Sequence, residues 1–503
     1  MVKLERLKGK SVNYKRLNYA HFFNGINVDY NQHIMPVSYS VNTYNFCFNN
    51  GALKTGLGIG EVYLPNSYDV TSKSNRLVNL QNYQFKASWL YKRENHNMFG
   101  LENYSYDNKI IFQDVNGDFY FYDICNSYDF IVKIENINIP GEASVLNYNL
   151  NGVDSILICS NDGMWVFDSS SVTARKIENA PKIKNMCLHY ERLFATVADD
   201  RYEIWFSDDL NPTNWNVSLN EAGFIKFNDD YGIVNKVLSF NDYVYVFREY
   251  GISKISAYAN QTEFDVSTLF VSSGKIFGNS VCVCGNKILM LTQNGIYVFD
   301  GYSTSKLNLN IDAMFEGTMN HFVCSCYSNG KYYLACNLNF NDNQKIGCEN
   351  QEYYNNVLLE LDLETNNLNI MRGVDIRNLN SIADDKVNII VACYKENGTF
   401  YFGEIGKFGG VYNNVLPKCW KSPLGDLGYP EKLKIVKDVY IKSDVPLTVT
   451  IRTEKLTKQF NVVPKNNLIH LSTLIKGNLI AIDFETTEKQ CEISNPSVIV
   501  GLV

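Results

Sequence analysis

The chain carries one pattern three times, as NKIIFQDVNGDFYFYD (108–123), DSILICSNDGMWVFD (154–168) and NKILMLTQNGIYVFD (286–300). Each copy places Asn-Gly or Asp-Gly between two short apolar runs. The dipeptide supplies the positive φ angles of a tight β-hairpin, and NIIVACYKENGTFYFGEI (388–405) has the same feature. We therefore predict four hairpins with these structural turn residues: Asn116, Gly117, Asp162, Gly163, Asn294, Gly295, Asn397 and Gly398.

The spacing of the copies predicts the architecture. Asp123 and Asp168 lie 45 residues apart, and Asp168 and Asp300 lie 132 apart, which is three times 44. Further units stand at 191–208, 241–255 and 388–405, and the runs 321–336 and 355–371 form one more unit with a polar insertion at 338–355. A period of about 40 to 50 residues with several short strands is typical of propeller blades. We predict an all-β fold whose residues 80–412 form a six- or seven-bladed β-propeller.

The flanking segments lack this pattern. Residues 1–79 are turn-rich and polar and predict an irregular N-terminal arm, whereas residues 413–503 alternate as in LKIVKDVYIKS and predict a small C-terminal β-sandwich-like domain. Aromatic side chains in an irregular arm need a surface to bury against. We expect four of them to be assembly contacts with a neighbouring subunit: Phe22, Phe23, Phe46 and Phe48. The alternative is that the arm packs on its own propeller.

Composition narrows the class of protein. The 503 residues carry a net charge of −7, so the basic excess of a dedicated nucleic-acid binder is missing. The 13 cysteines are odd in number, and several lie in strand-like runs, which favours free thiols made in a reducing cytoplasm. The first ten residues, MVKLERLKGK, lack an apolar core, so we expect no signal peptide. No apolar stretch approaches the ~18 residues of a membrane span.

The chain carries no recognisable catalytic or cofactor motif. It has neither His-Glu-x-x-His nor Cys-x-x-Cys, and the glycines of Gly56–Gly60 are misplaced for a dinucleotide loop. In each of the pairs Cys282/Cys284 and Cys324/Cys326, both side chains would face the same side of a strand. Buried free thiols account for these pairs better than a zinc site does. We predict that the protein is not an enzyme and has no cofactor or metal.

One segment resembles a hydrolase motif incompletely. Ser207–Trp215 is similar to the Asp-box of sialidase propellers, but Asn211 replaces its glycine and Trp215 comes one residue late. Sialidases also need an arginine cluster that clamps a carboxylate. No convincing clamp can be assembled from Arg93, Arg175, Arg192, Arg201 and Arg248 of the predicted blades.

The same segment resembles another family more closely. WFSDDLNPTNW (205–215) and FIKFNDDYGIVNKVLSFNDYVYVFREYGISKI (224–255) are similar to a recurring pattern in the propellers of tailed-phage virions. GNKILMLTQNGIYVFDG (285–301) matches the next unit of that pattern. The N-terminal stretch 22–59 resembles the leading arm of those proteins, and WKSPLGDLGYPEKLKIVKDVYI (420–441) resembles the opening of their C-terminal module. The insertion at 338–355 and the many cysteines depart from the pattern.

The resemblance implies a structural virion protein of a tailed bacteriophage, synthesised in the host bacterial cytoplasm and located in the tail. Such a tail hub, nozzle or packaged-DNA stabilisation protein forms a ring in the tail or head-to-tail connector. We expect a homo-oligomeric ring, with six-fold symmetry favoured, whose partners are the portal or adaptor ring and a tail fibre or spike. DNA would pass without sequence-specific contacts. The alternatives are a receptor- or glycan-binding propeller of a tail fibre, or a sialidase-like glycosidase.

Overall fold

The computed structural model of the protein describes most of the chain. The described residues are 12–19, 22, 25–65, 75–80, 82–92, 108–124, 131–168, 171–217, 222–258, 261–340, 342, 344–383 and 387–503. They form antiparallel strands joined by turns, together with 3-10 helices of three or four residues at Gln261–Glu263, Gly278–Ser280, Asp312–Phe315 and Gly347–Asn350. The predicted all-β class is confirmed.

The N-terminal residues form short strands that join other parts of the chain. They are β1 (Asn13–Asn18), β2 (Asn42–Tyr44), β3 (Phe46–Asn49), β4 (Ala52–Thr55), β5 (Gly58–Gly60), β6 (Tyr63–Pro65) and β7 (Asn75–Leu77). Strands β6 and β7 form a separate two-stranded sheet.

Six antiparallel sheets of four strands follow, and a seventh sheet has six strands; they are described here in chain order. Sheet 1 comprises β8 (Phe85–Tyr91), β9 (Lys109–Asp114), β10 (Asp118–Asp123) and β11 (Ile131–Asn138). Sheet 2 comprises β12 (Ala143–Leu150), β13 (Val153–Ser160), β14 (Gly163–Asp168) and β15 (Arg175–Ile177). Sheet 3 comprises β16 (Ile183–His189), β17 (Arg192–Val197), β18 (Glu203–Phe206) and β19 (Gly223–Lys226).

The remaining sheets have the same order. Sheet 4 comprises β20 (Val234–Phe240), β21 (Tyr243–Arg248), β22 (Gly251–Ser256) and β23 (Asp265–Val271). Sheet 5 comprises β24 (Cys282–Cys284), β25 (Lys287–Thr292), β26 (Gly295–Phe299) and β27 (Thr304–Lys306). Sheet 6 comprises β28 (Cys324–Ser328), β29 (Lys331–Cys336), β30 (Val357–Asp362) and β31 (Leu368–Arg372).

Sheet 7 takes its fourth strand from the N-terminal residues. Its own strands are β32 (Asp375–Ala383), β33 (Asn388–Glu396) and β34 (Thr399–Gly406), and β5 pairs antiparallel with β34. The hairpin β35 (Gly410–Val411) and β36 (Asn414–Val415) follows on the far side of β5. Gly58 of β5 permits this close approach, because a Cβ atom there would lie 2.2 Å from the carbonyl oxygen of Gly410.

Hydrophobic clusters join each sheet to the next. The second strand of a sheet is covered on both faces; in β9 of sheet 1, for example, every residue is buried. A strand covered on two sides does not need to alternate apolar and polar residues. One further cluster joins sheet 7 to sheet 1 and includes Phe112, Val391 and Phe402. The rings of Phe112 and Phe402 meet edge to face at 4.9 Å between centroids. The first strands of these two sheets, β8 and β32, are also in contact, because the Ser88 N–H donates to the side-chain oxygen of Asn378 at 3.0 Å.

The C-terminal residues form two sheets around one hydrophobic core. Their strands are β37 (Lys418–Lys421), β38 (Lys434–Ser443), β39 (Leu447–Thr453), β40 (Thr457–Val462), β41 (Leu468–Gly477), β42 (Ile480–Thr486) and β43 (Glu492–Leu502). The order of one sheet is β3-β4-β43-β38-β41, with β1 also on β43, and the order of the other is β2-β37-β42-β39-β40. We refer to this pair of sheets as the sandwich.

The N-terminal residues therefore differ from the predicted separate arm. Residues 13–55 supply one or more strands to both sheets of the sandwich, and 58–60 complete sheet 7. The pairing satisfies backbone groups that an irregular arm would leave to water. The sandwich thus combines the predicted C-terminal domain of residues 413–503 with strands from the opposite end of the chain.

We expect Gly117→Ala to destabilise the protein. Gly117 has a φ of +90°, and a Cβ atom there would lie 2.5 Å from the backbone of Ile139. Positive φ and a clash with fixed backbone together cost roughly 1 to 3 kcal/mol. Urea unfolding measures this loss. Gly141→Ala is the matched control, because nothing lies within 4 Å of a Cβ atom at that position. Equal stability of the two variants would contradict the strained turn.

Candidate functional site

The predicted turn residues support hairpins and do not converge on a site. The four turns join the second and third strands of sheets 1, 2, 5 and 7. Asn397 and Gly398 both have positive φ, at 50° and 88°, whereas in the other three turns only the glycine does. Those three turns therefore differ from the mirror-image turn that Asn-Gly favours, and Gly163 and Gly295 pair with Ser160 and Thr292 as the first residues of their strands.

The predicted assembly contacts lie in different surroundings. Phe22 and Phe46 are 1% and 2% exposed in the sandwich core, where Phe22 meets Trp420 edge to face at 5.0 Å. Phe48 is partly buried against the same core, and Phe23 lies outside the described residues. The burial of Phe22 and Phe46 differs from the expected subunit contact, because the chain's own sandwich already covers both rings.

The segment that resembles an Asp-box is a closed turn between β18 and β19. The Asp208 N–H donates to the Asn214 carbonyl oxygen, and the Asn214 amide donates back to the Asp208 carboxylate, both at 3.0 Å. Trp215 is 2% exposed in the cluster between sheets 2 and 3, and its indole donates to the carbonyl of Pro212. The hydrogen bonds of Asp208 and Trp215 therefore stabilise the turn itself.

The described arginines among the sequence candidates for a carboxylate clamp lie apart from one another, and Arg372 and Arg377 are not among those candidates. Arg248 is fully buried and paired with Asp229 at 2.7 Å. Arg192 donates to the carbonyl of Ser207, whereas Arg175 is exposed at the start of β15 and Arg201 is exposed in a turn. Arg93 lies outside the described residues.

The two i, i+2 cysteine pairs lie on contacting strands, Cys282/Cys284 on β24 and Cys324/Cys326 on β28, whereas the other described thiols are spread over the rest of the fold. Cys125 lies outside the described residues, and the other twelve cysteines, including both i, i+2 pairs, are free. Within the described part of the chain, no group of three or more His, Cys, Asp or Glu side chains is arranged to hold a metal ion. None of the helices among the described residues has the length and hydropathy needed to cross a membrane.

A buried ionic cluster joins sheet 6 to the N-terminal strands. Arg372, at the end of β31, is 2% exposed and donates to Glu349 at 2.8 and 2.9 Å and to Asp342 at 2.8 and 3.1 Å. Its guanidinium also lies 3.9 Å from the ring centroid of Phe340 and 4.8 Å from that of Tyr44. Asp342 and Glu349 come from the insertion at 338–355, which therefore folds back to enclose the arginine.

Asn45 extends this junction to the sandwich. Its side-chain oxygen accepts from the Arg372 N–H at 2.7 Å, and its amide donates to the carbonyl of Pro417 at 2.7 Å. Asn45 has a φ of +61°, which asparagine tolerates better than most residues. One side chain thus ties the end of β31 to the residue preceding β37.

A second buried charge lies nearby on β30. Glu360 is 2% exposed and accepts from Lys407 and Asn369 at 2.8 Å and from the Tyr333 hydroxyl at 2.9 Å. Burial by itself raises the pKa of this carboxyl. The charge and hydrogen bond of Lys407, with the charge of Lys331, outweigh burial and lower the pKa to about 2.

A polar cleft of about 660 Å³ separates the sandwich from the insertion. Arg452 and Asp483 line it and pair with each other at 2.6 Å, and Arg452 also donates to the carbonyl of Ser422 at 2.8 Å. The charges of the cleft are thus largely engaged in holding β39 to β42.

Two neighbouring hairpin tips carry exposed aromatic residues that the sequence pattern did not reveal. Tyr190, between β16 and β17, and Tyr258, after β22, are 54% and 47% exposed, with ring centroids 5.9 Å apart. The Tyr190 hydroxyl donates to the Asp242 carboxylate at 3.2 Å, and Tyr243 begins β21 beside it. We call Tyr190, Asp242, Tyr243 and Tyr258 the tyrosine surface. Its sequence signal is the tip Asn241-Asp242, where other hairpins have Asn-Gly.

Comparison with known proteins gives weak similarities only. No protein-family model and no curated protein matches the chain. Among solved structures, PorZ, an essential surface component of the type-IX secretion system of Porphyromonas gingivalis, is similar at 10% identity and a TM-score of 0.36. The match covers 78% of this chain but 46% of PorZ. The computationally designed protein Ika8 is similar at 9% identity and a TM-score of 0.35, covering 64% of this chain and 96% of Ika8.

We expect Arg372→Ala to destabilise the protein by about 3 to 5 kcal/mol, because it leaves the carboxylates of Asp342 and Glu349 buried without their partner. Thermal and urea unfolding measure the loss. Arg372→Lys should recover only part of it, since an ammonium cannot form both forked contacts. The exposed Arg175→Ala is the matched control and should stay within about 0.5 kcal/mol of wild type. A loss that small for Arg372→Ala would show that the cluster contributes little.

We expect Glu360 to contribute stability at neutral pH that is lost in acid. Its pKa of about 2 in the folded state is below the usual 4.5, so the contribution is complete above 4.5 and disappears as the pH falls through about 2. The Lys407 side chain is 45% exposed, so screening limits the effect to roughly 1 to 3 kcal/mol. Urea unfolding across this range should show a weaker pH dependence in Glu360→Gln than in wild type or in the exposed control Glu364→Gln. Identical pH dependence in all three would refute the assignment.

Proposed function

We propose that the protein is a closed seven-bladed β-propeller with a fused β-sandwich, and that it is a structural protein of a tailed-bacteriophage virion. The observation that carries the virion assignment is the resemblance of 205–255, 285–301 and 420–441 to tailed-phage propellers. Closure of the ring of blades is supported by the hydrophobic cluster between sheets 7 and 1.

The way the two units are joined suits a protein that must resist force. The N-terminal strands pair with the sandwich through β1, β2 and β4 and with sheet 7 through β5. Asn45 and Arg372 add buried hydrogen bonds and ion pairs at the same junction. A propeller and a sandwich held in this way behave as one body under load.

We place the subunit contacts of a homo-oligomeric ring on the outer edge of the sandwich. Among the described strands, β40 and β41 each pair on one side only, and they lie at the ends of their sheets opposite β2 and β3. Unpaired strand edges offer backbone groups to a second chain. Val463 and Leu474 beside these edges are both 72% exposed, which adds apolar area for the contact.

The proposed ring belongs to the tail or head-to-tail connector, with six-fold symmetry favoured. Its partners are the portal or adaptor ring and a tail fibre or spike. With a net charge of −7, the chain is expected to repel rather than hold the phosphates of DNA that passes through the ring.

Size-exclusion chromatography with light scattering and electron microscopy of the purified chain tests assembly. We expect rings of about six copies of the 57.5 kDa chain, and loss of rings in Val463→Asp/Leu474→Asp. Val153→Asp, at an exposed position of sheet 2, is the matched control and should assemble normally. A chain that remains monomeric alone and with its portal contradicts the ring.

The virion assignment has its own test. Portal and terminase genes should neighbour the coding sequence, and mass spectrometry of purified particles should detect the chain in the tail. Particles that lack the chain would contradict a structural role in the virion.

A further inference from the structure

The tyrosine surface stands on strained hairpin tips. Asn241 and Asp242 both have positive φ, at 45° and 63°, and Tyr190 has a φ of 50°. The equivalent first hairpins of sheets 2 and 6 have Asn151-Gly152 and Asn329-Gly330 at their tips, where glycine adopts this backbone freely. In sheet 4 an aspartate occupies the position that favours glycine, and its carboxylate reaches the Tyr190 hydroxyl.

A buried histidine lies directly beneath this surface. His189 is 3% exposed, its ring centroid is 4.4 Å from that of Tyr190, and its Nδ1 is 2.8 Å from the Ser239 hydroxyl. Its Nε2 has no hydrogen-bond partner among the described residues. This atom has almost no accessible surface, so His189 packs against the Tyr190 ring but is closed to a ligand.

The charges around the surface favour a neutral ligand. Lys254 already lies 4.3 Å from the ring centroid of Tyr243, so the cation-binding face of that ring is occupied by the chain itself. Asp242 and the net charge of −7 disfavour an anion. The exposed faces of Tyr190 and Tyr258 remain for an apolar ligand face, and Asp242 remains as an acceptor for a ligand hydroxyl.

The size of the surface favours a small ligand over a protein. A stable protein interface buries about 800 Å² on each partner, which four side chains on three strand connections do not provide. Tyrosine offers a rigid ring and a hydroxyl together, with little conformational entropy to lose. A sugar ring complements this combination, because it presents C–H groups on its face and hydroxyl groups at its edge.

We propose that the tyrosine surface binds a neutral oligosaccharide of hexose or N-acetylhexosamine units. The sugar faces stack on Tyr190 and Tyr258, and a sugar hydroxyl donates to Asp242. This site lies on sheets 3 and 4, whereas the proposed subunit contacts lie on the sandwich, so binding does not depend on ring formation.

Saturation-transfer NMR and calorimetry with the full chain test the proposal. The probes are maltotetraose, cellotetraose and chitotetraose, with a sulfated oligosaccharide as the anionic comparison. We expect at least one neutral probe to bind saturably and the sulfated one to bind more weakly. Tyr258→Ala and Tyr190→Ala should each weaken binding about tenfold, and Asp242→Asn should weaken it with an unchanged melting temperature.

Tyr202→Ala is the matched control, because Tyr202 is an exposed tyrosine at the opposite end of sheet 3, between β17 and β18. It should bind the probe as wild type does. The proposal is overturned if no neutral probe binds, if the sulfated probe binds most tightly, or if the Tyr258 and Tyr190 variants bind like Tyr202→Ala. Loss of rings with retained sugar binding would count against the proposed assembly alone.

Discussion

Every four-stranded sheet of this chain has two apolar faces, and the rest of the structure depends on covering both. Strands β9 and β25 are buried along almost their whole length, so neither face of sheet 1 or sheet 5 can meet water without a large cost. Consecutive sheets cover each other, and sheet 7 meets sheet 1 through Phe112 and Phe402. The contact between sheets 7 and 1 covers one apolar face of each.

The same requirement explains the position of the N-terminal residues. Sheet 7 has three strands of its own, and β5 supplies the fourth. Before they reach sheet 7, the N-terminal residues form β1 to β4 of the sandwich. Between β2 and β3 they pass sheet 6, where Tyr44 and Asn45 contact Arg372. The two units are thus joined by strand pairing and buried charge in addition to the connecting chain.

Both proposed interaction surfaces lie among the parts of the molecule that this packing leaves exposed. The outer edge of the sandwich lies opposite the strands that contact sheet 6, and the tyrosine surface lies on sheets 3 and 4. Their chemistry differs: the edge offers unpaired backbone with Val463 and Leu474, whereas the hairpin tips offer tyrosine rings and a carboxylate. An assembly contact and a ligand site can therefore operate on one chain without competing.

The sequence by itself determined the hairpins, the period of about 44 residues and the all-β class. These features depend on residues a few positions apart: Asn397-Gly398 turns the chain because of its own backbone preferences, and the adjoining apolar runs pair locally. The insertion at 338–355 was visible in the sequence, but its partner was not. Only the tertiary structure placed Phe22 and Phe46 in the sandwich core and Asp342 and Glu349 around Arg372. It alone brought Tyr190 to Asp242. Asn45 and Arg372 are 327 residues apart, so no local pattern links them. The sequence also does not show which strand fills a free sheet edge, because backbone pairing is nearly independent of side-chain identity.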